Sequence, residues 1–163
     1  MKREKIKLLT LSSALTAITF VLTAYLQIPS NTGYVHVGDA VIYLSACILP
    51  LPYAIFVGAV GGGLADLLSG FGIWAPATVA VKGISVLFFS RSKRFLSARN
   101  TIALLPATIV SVCGYYLYEA MLLKSFIAPA LGIPGYVMQA VLSCALFAVL
   151  GAAFDKMNLK SKL

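Results

Sequence analysis

Ala40-Val-Ile-Tyr-Leu-Ser-Ala-Cys-Ile-Leu-Pro50-Leu-Pro52-Tyr-Ala-Ile-Phe-Val-Gly-Ala-Val-Gly-Gly-Gly-Leu-Ala-Asp66-Leu-Leu68 is apolar almost throughout, and how it divides decides the fold. As one helix it would run about 43 Å at 1.5 Å per residue, well past a bilayer core of roughly 30 Å. Pro50 and Pro52 fall near its middle, where they break a helix and permit a tight turn. Charge parity supports the break. Lys2, Arg3, Lys5 and Lys7 open the chain, Arg91, Lys93, Arg94 and Arg99 follow in the middle, and Lys156, Lys160 and Lys162 close it. Positively charged loops favour the cytoplasmic side, so an even number of spans should separate consecutive blocks. Splitting at the prolines satisfies that rule. The sequence predicts an all-α integral membrane protein, a six-transmembrane-helix bundle with both termini cytoplasmic. The expected helices are 8–27, 37–50, 53–69, 75–90, 101–123 and 133–154, in one membrane domain spanning 1–163. The second is short and expected to start within the membrane or to tilt.

Composition fits this reading. Apolar residues make up 60% of the 163 and charged residues 11%, against about 25% charged in soluble domains. The mean hydropathy is +0.94. The net charge of +8 resides in the three basic blocks between apolar runs, the pattern of cytoplasmic loop ends, so no nucleic-acid partner is expected. Cys47, Cys113 and Cys144 lie inside apolar runs without paired spacing and read as packing residues. The start, Lys2 to Lys7 followed by apolar residues, resembles a signal peptide. The run is long and more spans follow, so a retained first helix is expected, ending at Ile28-Pro29-Ser30-Asn31.

The topology puts 28–38, Gly70-Phe-Gly-Ile-Trp74 and 124–134 on the outer side. These loops are rich in glycine, proline and aromatics and almost free of charge, and read either as caps over a cavity or as short connectors. Gly33-Tyr-Val-His-Val-Gly-Asp39 contains the only histidine, His36. Glycines at both ends allow it to hinge as a lid, with Tyr34 and His36 available to close over a ligand.

Asp66, Lys82 and Glu119 fall inside predicted spans. Each would cost about 2.5–3.5 kcal/mol facing lipid, so each should face the bundle interior or water. One reading is a structural ion pair, Asp66 with Lys82. The other makes them ligand contacts. Glu119 follows Tyr115, Tyr116 and Tyr118, and a carboxylate beside tyrosines can bind the donors of a ring while aromatics stack on its face. The tyrosines also suit an interfacial aromatic belt. Gly58-x-x-x-Gly62 and Ser13-x-x-x-Ala17 have the small-residue spacing that lets helices approach closely. The chain lacks a P-loop, His-Glu-x-x-His and Gly-x-Ser-x-Gly, so no enzymatic activity, catalytic residue, metal site or cofactor is expected.

Ile28-Pro29, Gly33-Tyr-Val-His-Val-Gly-Asp-Ala40, Gly62-Gly-Leu-Ala-Asp66-Leu-Leu and Trp74-Ala-Pro-Ala-Thr78 with Val81-Lys82-Gly83 together resemble the S component of an energy-coupling factor (ECF) transporter, in its riboflavin-type branch. The resemblance covers essentially the whole chain. It implies a six-helix bundle in the bacterial cytoplasmic membrane that captures a small water-soluble vitamin or precursor from outside. Its implied partners are a membrane scaffold, the T component, and two cytoplasmic ATPases. A first-helix Ala-x-x-x-Ala motif of the family packs on the T component; Ser13 and Ala17 take those positions, with Ala14 and Ala17 as the competing pair. The family's first outer loop is a lid, here Gly33 to Asp39. Its pocket, lined by the outer halves of helices four to six, implies Trp74, Thr78, Lys82, Tyr115, Tyr116, Glu119, Tyr136 and Gln139 as substrate contacts, beside Tyr34, His36 and Asp39 of the lid. Riboflavin, pyridoxine, hydroxymethylpyrimidine and queuosine-like compounds all remain open as substrates. Two other classes compete: a proton-coupled secondary transporter relaying through Asp66, Lys82 and Glu119, and a ligand-free membrane assembly protein.

Overall fold

The computed structural model describes residues 2–30 and 33–161. Asn31, expected at the end of the first span, and Lys162 of the last basic block lie outside the described residues. Six α-helices carry the fold: α1 (Lys2–Ala24), α2 (Gly38–Ala46), α3 (Leu51–Leu68), α4 (Ala75–Val86), α5 (Ala98–Leu123) and α6 (Ile133–Lys156). Among the described residues, four helical stretches are long and apolar enough to cross a membrane, those carrying α1, α3, α5 and α6.

The proline break falls where expected. Pro50 caps α3 from outside and Pro52 sits in its first turn, where a missing N–H costs nothing. Upstream the helix stops early. Cys47, Ile48 and Leu49 make turn hydrogen bonds back to residues 43–45, because Pro50 disfavours helical geometry at the residue before it. Thus α2 has nine residues, about 13.5 Å of rise, and all nine are buried. A helix apolar all round belongs in the centre of a bundle, and α2 packs against α1, α3, α4 and α6. Below it, Tyr43 stacks on Phe89 with ring centroids 4.7 Å apart, and Phe147 meets both edge-on. The fourth helix is also shorter than the expected 75–90, ending at Val86 in a turn.

Helix α1 faces the bundle with Ser12, Thr16, Thr19 and Thr23, while Leu9, Ile18 and Val21 point outward. This inversion suits lipid, where apolar side chains gain nothing by hiding and small polar ones allow close packing. Gly61 of α3 is the receiving surface: a Cβ there would lie 3.0 Å from the Thr19 side chain.

A feature the sequence reading did not include is a β-hairpin, Ile28–Ser30 (β1) antiparallel to Gly33–Val35 (β2), pairing Pro29 with Tyr34. Pro29 is tolerated because its strand is short and at an edge. The hairpin redraws the expected lid. Gly33–Val35 is strand, while Gly38 and Asp39 already belong to α2. Gly38 cannot be larger, since a Cβ there would collide with the Thr23 hydroxyl.

Candidate functional site

At the hairpin end of the bundle, side chains from four helices and the β2 segment converge on a narrow cavity of about 50 Å³, room for a few waters. Tyr34 and His36 come from the β2 segment, Asp66 from the end of α3, Trp74 and Thr78 from the start of α4. Tyr115 of α5 and Tyr136 and Gln139 of α6 complete the wall, with Phe71 from the α3–α4 loop. Aromatic contacts organise it. Tyr34 lies 4.7 Å from Phe71, Phe71 meets Trp74 edge-on at 6.2 Å, and Tyr115 stacks on Tyr136 at 5.6 Å.

Asp66 is the polar focus. One carboxylate oxygen accepts the Tyr34 hydroxyl at 2.5 Å and the other accepts the Thr78 hydroxyl. With its proton so committed, Thr78 Oγ1 is left to accept from Tyr115 Oη, 2.9 Å away. No cation is needed to hold Asp66 in place.

The expected Asp66–Lys82 pair does not form. Lys82 instead donates to Asp39 Oδ2 at 2.7 Å, with both side chains almost fully buried, and Gln139 donates to the same oxygen at 3.3 Å. This pair lies one layer beneath the cavity, with Lys82 Nζ 5.1 Å from the Tyr115 ring centroid. The reason is topological: α2 starts between α4 and α6, so the Asp39 carboxylate is the one that meets Lys82. Neither residue lines the cavity.

Glu119 and Tyr116 also stand apart from the cavity wall. Glu119 is buried and accepts the Tyr136 hydroxyl at 2.5 Å, so it steadies a lining aromatic from behind. Tyr116 donates to the Phe126 carbonyl at 2.9 Å and ties down the α5–α6 connection. The three in-span charges have different direct partners among the described residues: Asp66 the Tyr34 and Thr78 hydroxyls, Lys82 the Asp39 carboxylate, and Glu119 the Tyr136 hydroxyl. Phe71 was not among the expected contacts, and Asp66 was expected there only in the reading that made the in-span charges ligand contacts, against the alternative of a pair with Lys82.

His36 connects lid and scaffold. Its Nδ1 accepts the Gly38 N–H at 3.2 Å and its carbonyl accepts from Ser143 at 3.4 Å. Burial lowers the imidazole from its ordinary value to about 4; nearby Asp39 opposes that shift and Lys82 reinforces it. The ring is thus neutral, with its proton on Nε2, the nitrogen not engaged by Gly38. Burial, with Asp66 alongside, also raises the Tyr34 phenol well above its usual range. Gln139, having spent a donor on Asp39, keeps its carbonyl oxygen as an acceptor.

The opposite end of the bundle is basic. Lys7 of α1, Arg91 and Lys93 of the α4–α5 loop and Lys160 after α6 line one cleft there. Thus the three basic blocks meet at one end and the aromatic cavity occupies the other.

The family described as "ECF-type riboflavin transporter, S component" matches residues 3–156. The chain belongs to that family. A solved S component of a bacterial ECF transporter has the same fold, with a TM-score of 0.73 over 94% of this chain and 98% of its own, at 20% identity. An uncharacterized protein of Pyrococcus woesei is 32% identical over 105 residues, covering 63% of this chain and 68% of its own. As an S component, the chain is a membrane-embedded, substrate-binding transporter subunit rather than an enzyme. Ser13, Ala14 and Ala17 of this S component are exposed on α1, away from the inward Ser/Thr stripe.

Proposed function

We propose that this S component captures a small, planar, ring-containing vitamin or precursor at the aromatic cavity and delivers it together with a T component and two ATPases. The whole chain acts as one membrane domain, with both termini and the basic end in the cytoplasm and the hairpin end outside. The observation that carries this reading is the convergence of Trp74, Tyr115 and Tyr136 around an Asp66 held only by hydroxyls. Aromatic faces sandwich a ring, while carboxylate and amide oxygens accept its N–H or O–H donors. A cavity of about 50 Å³ is too small for such a ligand, so loading requires the Tyr34 segment to move. The Tyr34 hydroxyl occupies the acceptor the ligand takes, and the ligand displaces it. Trp74, Thr78, Tyr115, Tyr136 and Gln139 form the wall, His36 and Tyr34 the lid. Asp39, Lys82, Tyr116 and Glu119 support them from behind. The exposed Ser13, Ala14 and Ala17 face is the docking surface for the T component, because its small side chains permit close helix contact.

Mass spectrometry of small molecules retained by the purified protein, followed by titration of the ligand found, tests the reading. Trp74→Ala should reduce affinity at least tenfold, as expected for loss of a stacking aromatic worth about 1.5 kcal/mol. Unchanged affinity in both Trp74→Ala and Asp66→Asn would place the ligand elsewhere. Ala17→Trp should abolish co-purification with the T component and uptake while ligand affinity stays intact. Uptake persisting in that variant would instead favour a carrier acting alone.

A further inference from the structure

The basic end carries a feature that ligand capture does not use. The cleft of about 620 Å³ there combines two chemistries. Its rim holds four cations, Lys7, Arg91, Lys93 and Lys160, against the single carboxylate of Glu4. Its wall is apolar, formed by Leu8 and Leu11 of α1 with Ile48 and Pro50 of the α2–α3 turn. The one ion pair among the described residues is Lys82–Asp39, so no carboxylate of the described residues lies within ion-pair distance of a rim cation. A second cleft of about 440 Å³ shares Lys93 and Lys160 and adds Arg94 and Lys156. Its Asp155 is already committed, accepting the Phe95 and Leu96 backbone N–H groups at 2.7 and 3.0 Å.

The floor is ordered. Asn100 is fully buried and binds Ser90 and Phe95 backbone groups, so the loop bearing Arg91 and Lys93 is held from below. Lys160 is half-buried, donates to the Ser92 carbonyl at 2.8 Å and lies over the Phe95 ring at 4.4 Å. An ammonium has three donors, so two remain for an anion. Burial lowers the Lys160 amine from its ordinary value; nearby Asp155 opposes that shift and Arg91 reinforces it.

We propose that this cleft binds the headgroup of an anionic phospholipid, with the phosphate between Lys160, Arg91 and Lys93 and an acyl chain along Leu8, Leu11 and Ile48. The apolar wall distinguishes this occupant from a free anion, which needs the cations alone. Basic pockets between helices at a membrane surface have the chemistry for such headgroups. The bound lipid would tie α1 to the α4–α5 loop across the bundle end.

The test uses the full-length protein in nanodiscs of phosphatidylcholine alone or of phosphatidylcholine with phosphatidylglycerol, read by thermal unfolding and by native mass spectrometry for retained phospholipid. Phosphatidylglycerol should raise the unfolding temperature and co-purify. The double variant Arg91→Gln/Lys93→Gln, both exposed and outside the packed core, should retain the lipid roughly 30-fold more weakly. In phosphatidylcholine alone it should unfold like the parent. Lys160→Gln should lose the lipid as well and Lys160→Arg should keep it. Lys2→Gln/Arg3→Gln, basic residues outside the cleft, should leave retention unchanged. Equal loss in that control would reduce the effect to general surface attraction and overturn the site. So would equal unfolding temperatures in the two lipids, or inorganic phosphate reproducing the whole shift.

Discussion

Asp39 and Asp66 are both buried acids in the upper half of the bundle, yet they are held in different ways: Asp39 is bonded through Oδ2 alone, with Oδ1 lacking a partner among the described residues, whereas both oxygens of Asp66 are bonded. Asp39 faces a lysine and an amide in a sealed layer. Asp66 faces only hydroxyls, and beside it there is a cavity. A paired charge loses much when its partner is removed. A carboxylate held by hydroxyls can exchange one of them for a ligand donor at small cost. On the proposed function, the first acid belongs to the scaffold and the second to recognition.

Removing half of the sealed pair should have the largest effect. Asp39→Ala should destabilise the protein by about 3–5 kcal/mol, the usual result of stranding a buried charge, measured by thermal unfolding in detergent. Asp39→Leu/Lys82→Met should recover most of that loss. If Asp39→Ala unfolds like the parent, the two acids do not differ as argued. Asp66→Asn should show the reverse pattern, with stability changed by less than about 1 kcal/mol and ligand affinity reduced roughly 10–100-fold, the range for a hydrogen bond to a charged acceptor. Equal losses of stability at both acids would remove the distinction.

The smallest effect concerns the junction between them. His36 titrates near 4 in the folded chain against 6.5 ordinarily, so the unfolded chain binds the extra proton between those values. Stability therefore rises with pH through that window and falls on acidification from about 6.5 to 4. Local opening of the hairpin relieves part of the burial, so about 1–2 kcal/mol should be seen. His36→Asn should flatten the profile below pH 6.5, and an unchanged profile would show that His36 does not report on the lid.

Much of this architecture was legible in the amino-acid order. The break at Pro50 and Pro52, the clustering of basic residues and the residues that would have to avoid lipid all follow from local chemistry. Who pairs with whom did not. Asp66 lies on the helix before Lys82 and looked like its partner, but the partner came from a helix whose start is set by the hairpin. That hairpin was hidden because its strands are three residues long and one contains proline, too short to show an alternating pattern. The same three-dimensional ordering moved Glu119 from the cavity wall to a position behind Tyr136.

The length of α2 has a consequence for what can be carried. At about 13.5 Å it fills roughly half of a 30 Å column, with the hairpin and the cavity beyond its outer end and the Pro50 turn at the other. The helix thus acts as a depth stop. Each further turn at its outer end would raise the floor by about 5.4 Å and displace His36 into the space between Trp74 and Tyr136. On the proposed function, where Gly38 begins that helix sets how tall a cargo can be.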